Sequence, residues 1–152
     1  MNQDSVYIEI MKFKHKYPRT ITWHRLKKHS KVVSDHLNPG EKVVYAFAGQ
    51  KNEHWYDFFQ TCVIVLTNKR LLIGQKRVVF GYFLKSITPD LFNDLSIYKG
   101  LLWGNITIDT VKEVVHVSNL DKKCLDEVET NISEYMMREK KKYAPREKAH
   151  HE

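Results

Sequence analysis

Polar and hydrophobic positions along this chain change their period twice. Residues 1–19 show no clear periodicity and contain the breaker Tyr17-Pro18. From Thr20 onward, Trp23, Leu26, Val33 and Leu37 fall on one helical face and Lys27, Lys28 and Lys31 on others. This spacing predicts a helix N-capped by Thr20 or Thr22. Asn38-Pro39-Gly40 ends it, because proline cannot continue a helix and the triplet favours a turn.

Beyond residue 40 the segments are short and rich in Val, Ile, Tyr, Phe and Thr. Strands are predicted at Lys42–Ala48, Thr61–Leu66 (the best part of the run from Trp55), Leu71–Ile73, Arg77–Leu84, Asp94–Lys99, Asn105–Thr110 and Val111–Val117. Thr67-Asn68-Lys69-Arg70 joins two of these runs in a tight hairpin, with Asn68 at a position that can take positive φ. Turns are also predicted at Gly74–Lys76, Thr88-Pro89-Asp90 and Gly100–Gly104. Seven short strands spaced by about 8–12 residues point to a sandwich or small barrel.

The period then returns to helical. Leu125, Val128, Ile132, Tyr135 and Met136 form one apolar stripe after the N-cap candidate Asp121. Asp126, Glu127, Thr130 and Glu134 occupy the opposite side. Such a helix has an open end or corner of the sheet to cover. Past Arg138 the chain is Lys-rich without apolar spacing, which predicts fraying. The expected fold is mainly β (α+β). It is a seven-stranded antiparallel barrel or sandwich at 38–137, capped by a C-terminal helix. A helical arm at 1–37 precedes it and a basic, disordered tail at 138–152 follows.

Composition adds two constraints. No apolar run approaches the roughly 18 residues that span a bilayer. The N-terminal MNQDSVYIEI does not follow a basic-then-apolar secretory pattern, so a cytoplasmic location is expected. Cys62 and Cys124 are the only cysteines, too few and too far apart for a disulfide scaffold or a zinc site, and read as small buried hydrophobes. The net charge of +7 is uneven: residues 1–37 carry +5 and residues 138–152 carry +3, leaving −1 on the barrel between. Positive ends suit weak attraction to polyanions and equally suit solvated helix faces.

Three stretches carry a resemblance. Leu37–Ala46 (LNPGEKVVYA), Val65–Ile73 (VLTNKRLLI) and Gly100–Thr110 (GLLWGNITIDT) are similar to segments of the bacterial pleckstrin-homology (PH) domains called YokE-like. There a Gly-Glu opening precedes the first strand and a Thr-Asn-(Lys/Arg)-Arg hairpin joins the second and third. The resemblance spans about residues 37–137 and implies a PH-like barrel with a capping helix and no catalytic residues. One departure stands out. Eukaryotic phosphoinositide-binding PH domains place basic residues in the first loop and along the second strand. Here Gly49–His54 has one Lys and Phe58–Leu66 has none, so phosphoinositide recognition of that type is not expected.

Candidate contact residues are Lys69, Arg70, Lys76, Arg77, Trp55 and Trp103. The two basic pairs flank a short strand from opposite ends, where Arg offers a bidentate fork and a turn offers free N–H groups to a phosphate. The same residues would also keep a hydrophobic hairpin soluble. Trp55, with Tyr56, Phe58 and Phe59, either fills the barrel or meets a membrane or peptide, and Trp103 presents the same choice. Among the eight histidines, His29 and His36 can share a helix face, but no HExxH pattern or close carboxylate–histidine set appears, so no metal is expected. No nucleophile elbow, glycine-rich phosphate loop or paired carboxylates occur, so neither catalysis nor a cofactor is expected. The expected partner is a protein or a second copy of the chain. Contact with an anionic membrane through the basic arms is the alternative. Nucleic acid is disfavoured, because the aromatics are mostly not interleaved with the basic residues.

Overall fold

Cys62–Leu66 is apolar at consecutive rather than alternating positions, a pattern that belongs to a strand covered on both faces. A computed structural model describes residues 5–20, 25–51, 61–77 and 80–151, with the backbone alone at Lys51 and at 143–151. Its elements are α1 (Ser5–Lys16), α2 (Leu26–Ser34), β1 (Val43–Lys51), β2 (Thr61–Thr67), β3 (Leu71–Lys76), β4 (Tyr82–Ile87), β5 (Phe92–Lys99), β6 (Trp103–Thr110) and β7 (Val114–Asp121). A 3-10 turn at Lys122–Cys124 leads into α3 (Leu125–His151). The strands form one curled antiparallel sheet in the order β4-β3-β2-β1-β7-β6-β5. The predicted fold class stands.

Two cores explain the double burial of β2. Cys62, Ile64 and Leu66 face the concave interior, with Phe47, Ile73, Phe92, Ile106, Ile108 and the α3 stripe Leu125, Val128, Ile132, Tyr135 and Met136. Val63 and Val65 face outward, where Ala46, Ala48 and Leu72 meet Val6 and Ile10 of α1 and Val33 of α2. The N-terminal segment is therefore a layer on the sheet. β1 and β7 pair only at Gln50–Ser118 and Lys51–Val117. Phe13 of α1 and Tyr17 just after it also enter the concave core, with Phe13 packing 5.8 Å from the Phe47 ring.

Several expectations need correction. Residues 5–16 are helical, because Val6, Ile10 and Phe13 recur at intervals of four and three on one buried face. Helix α2 begins at Leu26 rather than Thr20, with Arg25 as its N-cap in the left-handed region. Thr20 instead accepts a hydrogen bond from the Asp121 N–H through its buried hydroxyl (2.9 Å), while Thr22 and Trp23 lie outside the described residues. Gly74–Lys76 is strand, not turn. A Cβ on Gly74 would meet Val33 Cγ2 at 2.6 Å, so glycine stands there to let α2 approach. Asn68 does not adopt positive φ, a conformation that Arg25 and Asn119 alone take among the described non-glycine residues. The β2–β3 turn is held instead by the Thr67 hydroxyl, which accepts from the Lys69 and Arg70 N–H groups, both at 3.1 Å. Val111–Glu113 is a turn and β7 starts at Val114. Helix α3 continues to His151, so 138–151 are helical where the loss of apolar spacing predicted a disordered tail.

Candidate functional site

Arg70 is tied into the structure. Its Nε donates to Glu41 Oε2 (3.0 Å), and its Nη2 to Glu41 Oε1 (3.1 Å) and the His36 carbonyl (2.9 Å). Glu41 is the residue of the Gly-Glu opening, and its carboxylate is fully buried. It also accepts from Thr67 Oγ1 (2.6 Å) and the Asn38 N–H (2.9 Å). Burial alone would raise this carboxyl, but the bonds from Arg70, Asn38 and Thr67 hold it below the ordinary value. Two of the three segments that carry the family resemblance thus meet in one polar knot, and Arg70 is engaged in making it.

Glu127 forms a second knot. Lys16 and the Tyr45 hydroxyl (2.9 Å) donate to it, holding its carboxyl below the ordinary range although burial pulls the other way. Burial drives the Tyr45 hydroxyl upward, and pushes the Cys124 thiol up to about 12 with added repulsion from Asp121 and Glu127. A thiol so shifted is no nucleophile at neutral pH. Cys62 is buried in the concave core. Among the described residues no three His, Cys, Asp or Glu side chains gather to hold a metal.

His29 marks where α2 crosses the end of β3. It is buried, and its Nδ1 accepts the Lys76 N–H at 2.8 Å, which fixes the ring neutral with its proton on Nε2. Burial, then the nearby Arg25 charge, lowers its pKa to about 4. The folded state therefore binds this proton less readily than the unfolded chain does. Stability is expected to be whole above about pH 6.5 and to fall as pH drops from there toward 4. Denaturant titrations at pH 7, 5.5 and 4.5 should show the loss in the native chain and a smaller loss in His29→Gln.

The remaining candidates lie apart. Lys69 is exposed at the β2–β3 turn, while Lys76 and Arg77 lie at the opposite end of β3. The four basic residues therefore form no single patch. Trp55, with most of the first loop and the start of the run into β2, lies outside the described residues. Within them, β2 has no basic residue and no exposed position. Trp103 opens β6 rather than sitting in a turn, and its indole N–H donates to the Arg19 carbonyl at 3.0 Å.

Among the described residues the two most exposed apolar side chains, Phe80 and Leu101, each lie at a hairpin tip. At β3–β4, Phe80 is 84% exposed, beside Tyr82 and Arg77. At β5–β6, Leu101 is 88% and Leu102 61% exposed, beside Tyr98 and Trp103. Periodicity alone had missed the first tip by assigning Arg77–Leu84 to one strand. Gly81 is the turn signal in that run, and it takes φ 72° there.

Comparison with known proteins gives a family. A family model described as "Bacterial PH domain" matches residues 37–134. Among solved structures, a DUF1696 family protein with a pleckstrin-homology domain from Shewanella loihica is 12% identical at a TM-score of 0.47, covering 75% of this chain and 99% of that one. A pleckstrin homology domain from Shewanella amazonensis is 16% identical at a TM-score of 0.44, covering 79% and 91%. No curated protein matches.

Proposed function

The chain belongs to the bacterial PH domain family, and from that premise we propose that it is a non-catalytic module that recruits a protein partner through the β3–β4 hairpin. The observation that carries this reading is Phe80, a large aromatic held almost wholly in solvent beside the start of β4. Exposed aromatics of this kind anchor protein interfaces. The free edge of β4 adds main-chain groups. The Arg77 N–H bond to the Gly81 carbonyl sets the ladder parity, so Tyr82, Leu84 and Ser86 turn their N–H and C=O groups away from β3. A partner strand can pair there. Lys85 points inward on the same strand and pairs with Glu113, a charge placement that discourages indiscriminate edge pairing.

The saturated carboxylates Glu41 and Glu127 and the buried cysteines support the non-catalytic reading. Within the family, the Gly-Glu and Thr-Asn-Lys-Arg segments that meet at Glu41 and Arg70 favour placement with the YokE-like domains. Phe80→Glu is expected to weaken partner capture at least about tenfold while leaving the melting temperature unchanged, as for loss of one interface anchor. Cross-linking in native extract and light scattering across a concentration series check this. A native chain that stays monomeric, and retains no protein that the variant loses, overturns the reading.

A further inference from the structure

We propose that the β5–β6 hairpin tip inserts into the surface of an anionic lipid bilayer. This contact is separate from the protein-binding hairpin and does not depend on it.

The tip is built for exposure. The Gly100 N–H donates to the Trp103 carbonyl at 2.9 Å, closing a turn whose two central residues are Leu101 and Leu102. A Cβ on Gly100 would lie 2.7 Å from that same carbonyl oxygen, so glycine permits the closure. Neither leucine belongs to either core, and Tyr98 beside them is 66% exposed. Four neighbouring large apolar side chains at one protruding turn are more than scattered surface apolarity.

The surroundings select the occupant. Lys99, Lys122, Lys123 and Arg19 are exposed around the tip. Lys122 Nζ donates to the Leu101 carbonyl at 3.1 Å, which holds an ammonium at the level of the leucines. Arg19 is anchored there by the Trp103 indole bond to its carbonyl. The acidic residue engaged among them, Asp126, pairs with Lys99 at 3.4 Å. An apolar point ringed by cations matches a bilayer whose apolar interior lies beneath anionic headgroups. The fit extends to the backbone. In an apolar medium an unpaired carbonyl is costly, and the Leu101 carbonyl and the Gly100 N–H are already engaged. Tyr98 and Trp103 stand at the base of the tip, the depth at which amphipathic rings favour the interface. The basic N-terminal segment thus acts through Arg19 at this tip rather than as a free arm.

Co-sedimentation with phosphatidylcholine vesicles, with and without about 30% phosphatidylglycerol to supply a negative surface potential, tests the proposal. The native chain is expected to bind the anionic vesicles and to release them in 0.5 M NaCl, where screening is within about 5 Å. L101E/L102E should lose at least about tenfold in partition through the lost apolar insertion. K122Q/K123Q should lose about fivefold per charge. Both variants should keep the native melting temperature, since all four side chains are exposed. Equal, negligible binding to both vesicles overturns the proposal. Binding that survives L101E/L102E also overturns it, placing the contact elsewhere on the basic surface. If L101E/L102E instead changes the oligomeric state of a chain that ignores vesicles, the tip is a protein contact and the proposal fails.

Discussion

Arg70→Ala is expected to destabilise the fold by about 3–5 kcal/mol, the cost of leaving a buried charge without its partner. Glu41 has no solvent-exposed side-chain surface and is bonded from two segments, the Asn38 N–H before it and Thr67 and Arg70 of the β2–β3 hairpin. With the guanidinium gone, burial dominates and pushes the Glu41 carboxyl upward instead of down. The sign of the pH dependence follows. In the native chain the lowered carboxyl contributes stability above its unfolded pKa, and that contribution disappears as pH falls through the folded one. In the variant the raised carboxyl is protonated first and then needs no cation. The deficit should therefore be large at pH 7 and smaller near pH 4, as read by urea unfolding at both. A deficit below about 1 kcal/mol at pH 7, the range of surface pairs, is incompatible with the knot described here. A Glu41→Ala/Arg70→Ala pair should cost less than the two single changes together, because the second removes a group the first had already orphaned.

Ile10→Ala is expected to cost about 2–5 kcal/mol, as for other large aliphatic side chains truncated in a core. Ile10 is fully buried among Val33, Ala46, Ala48, Val63, Val65 and Leu72. Ile8, on the same helix and 40% exposed, supplies the control: its alanine variant should fall within about 0.5 kcal/mol of the native chain. A free helical arm would make the two variants alike. Chemical denaturation of both separates a structural layer from an appendage. It also shows whether the outer faces of β1, β2 and β3 depend on α1 for their cover.

The comparison bears on where partners can reach this domain. Helices α1 and α2 cover the convex faces of β1–β3, and α3 plugs the concave side. Among the described residues, these helices leave open the hairpin tips, the β4 edge and the outer face of β5–β7. Both proposed contacts use that remainder, at tips built on different hairpins. Phe80→Glu and L101E/L102E accordingly test them independently.

Local patterning determined much of this. The strand count, the hairpin at Thr67–Arg70, the break at Thr88–Asp90, the Asp121 cap and the whole α3 stripe were legible. Each depends on residues within one or two turns of one another. The Asp121 side chain accepts the Lys123 N–H at 3.0 Å, capping the 3-10 turn Lys122–Cys124 that leads into α3 rather than α3 itself. The turn at Leu101 and Leu102 is legible in Gly100–Gly104, but the exposure of the two leucines is not. The tertiary structure alone decided the rest. The pattern of Val6, Ile10, Phe13 and Tyr17 is helical in spacing, but it gains meaning only when the two cores of the sheet receive it. Gly74 carries a turn signal until α2 is seen lying against it. Arg70 offers a phosphate fork until Glu41, 29 positions earlier, is found beneath it. Periodicity reports which side of an element is apolar. It does not report which distant element will cover that side, because that depends on contacts between residues the chain keeps far apart.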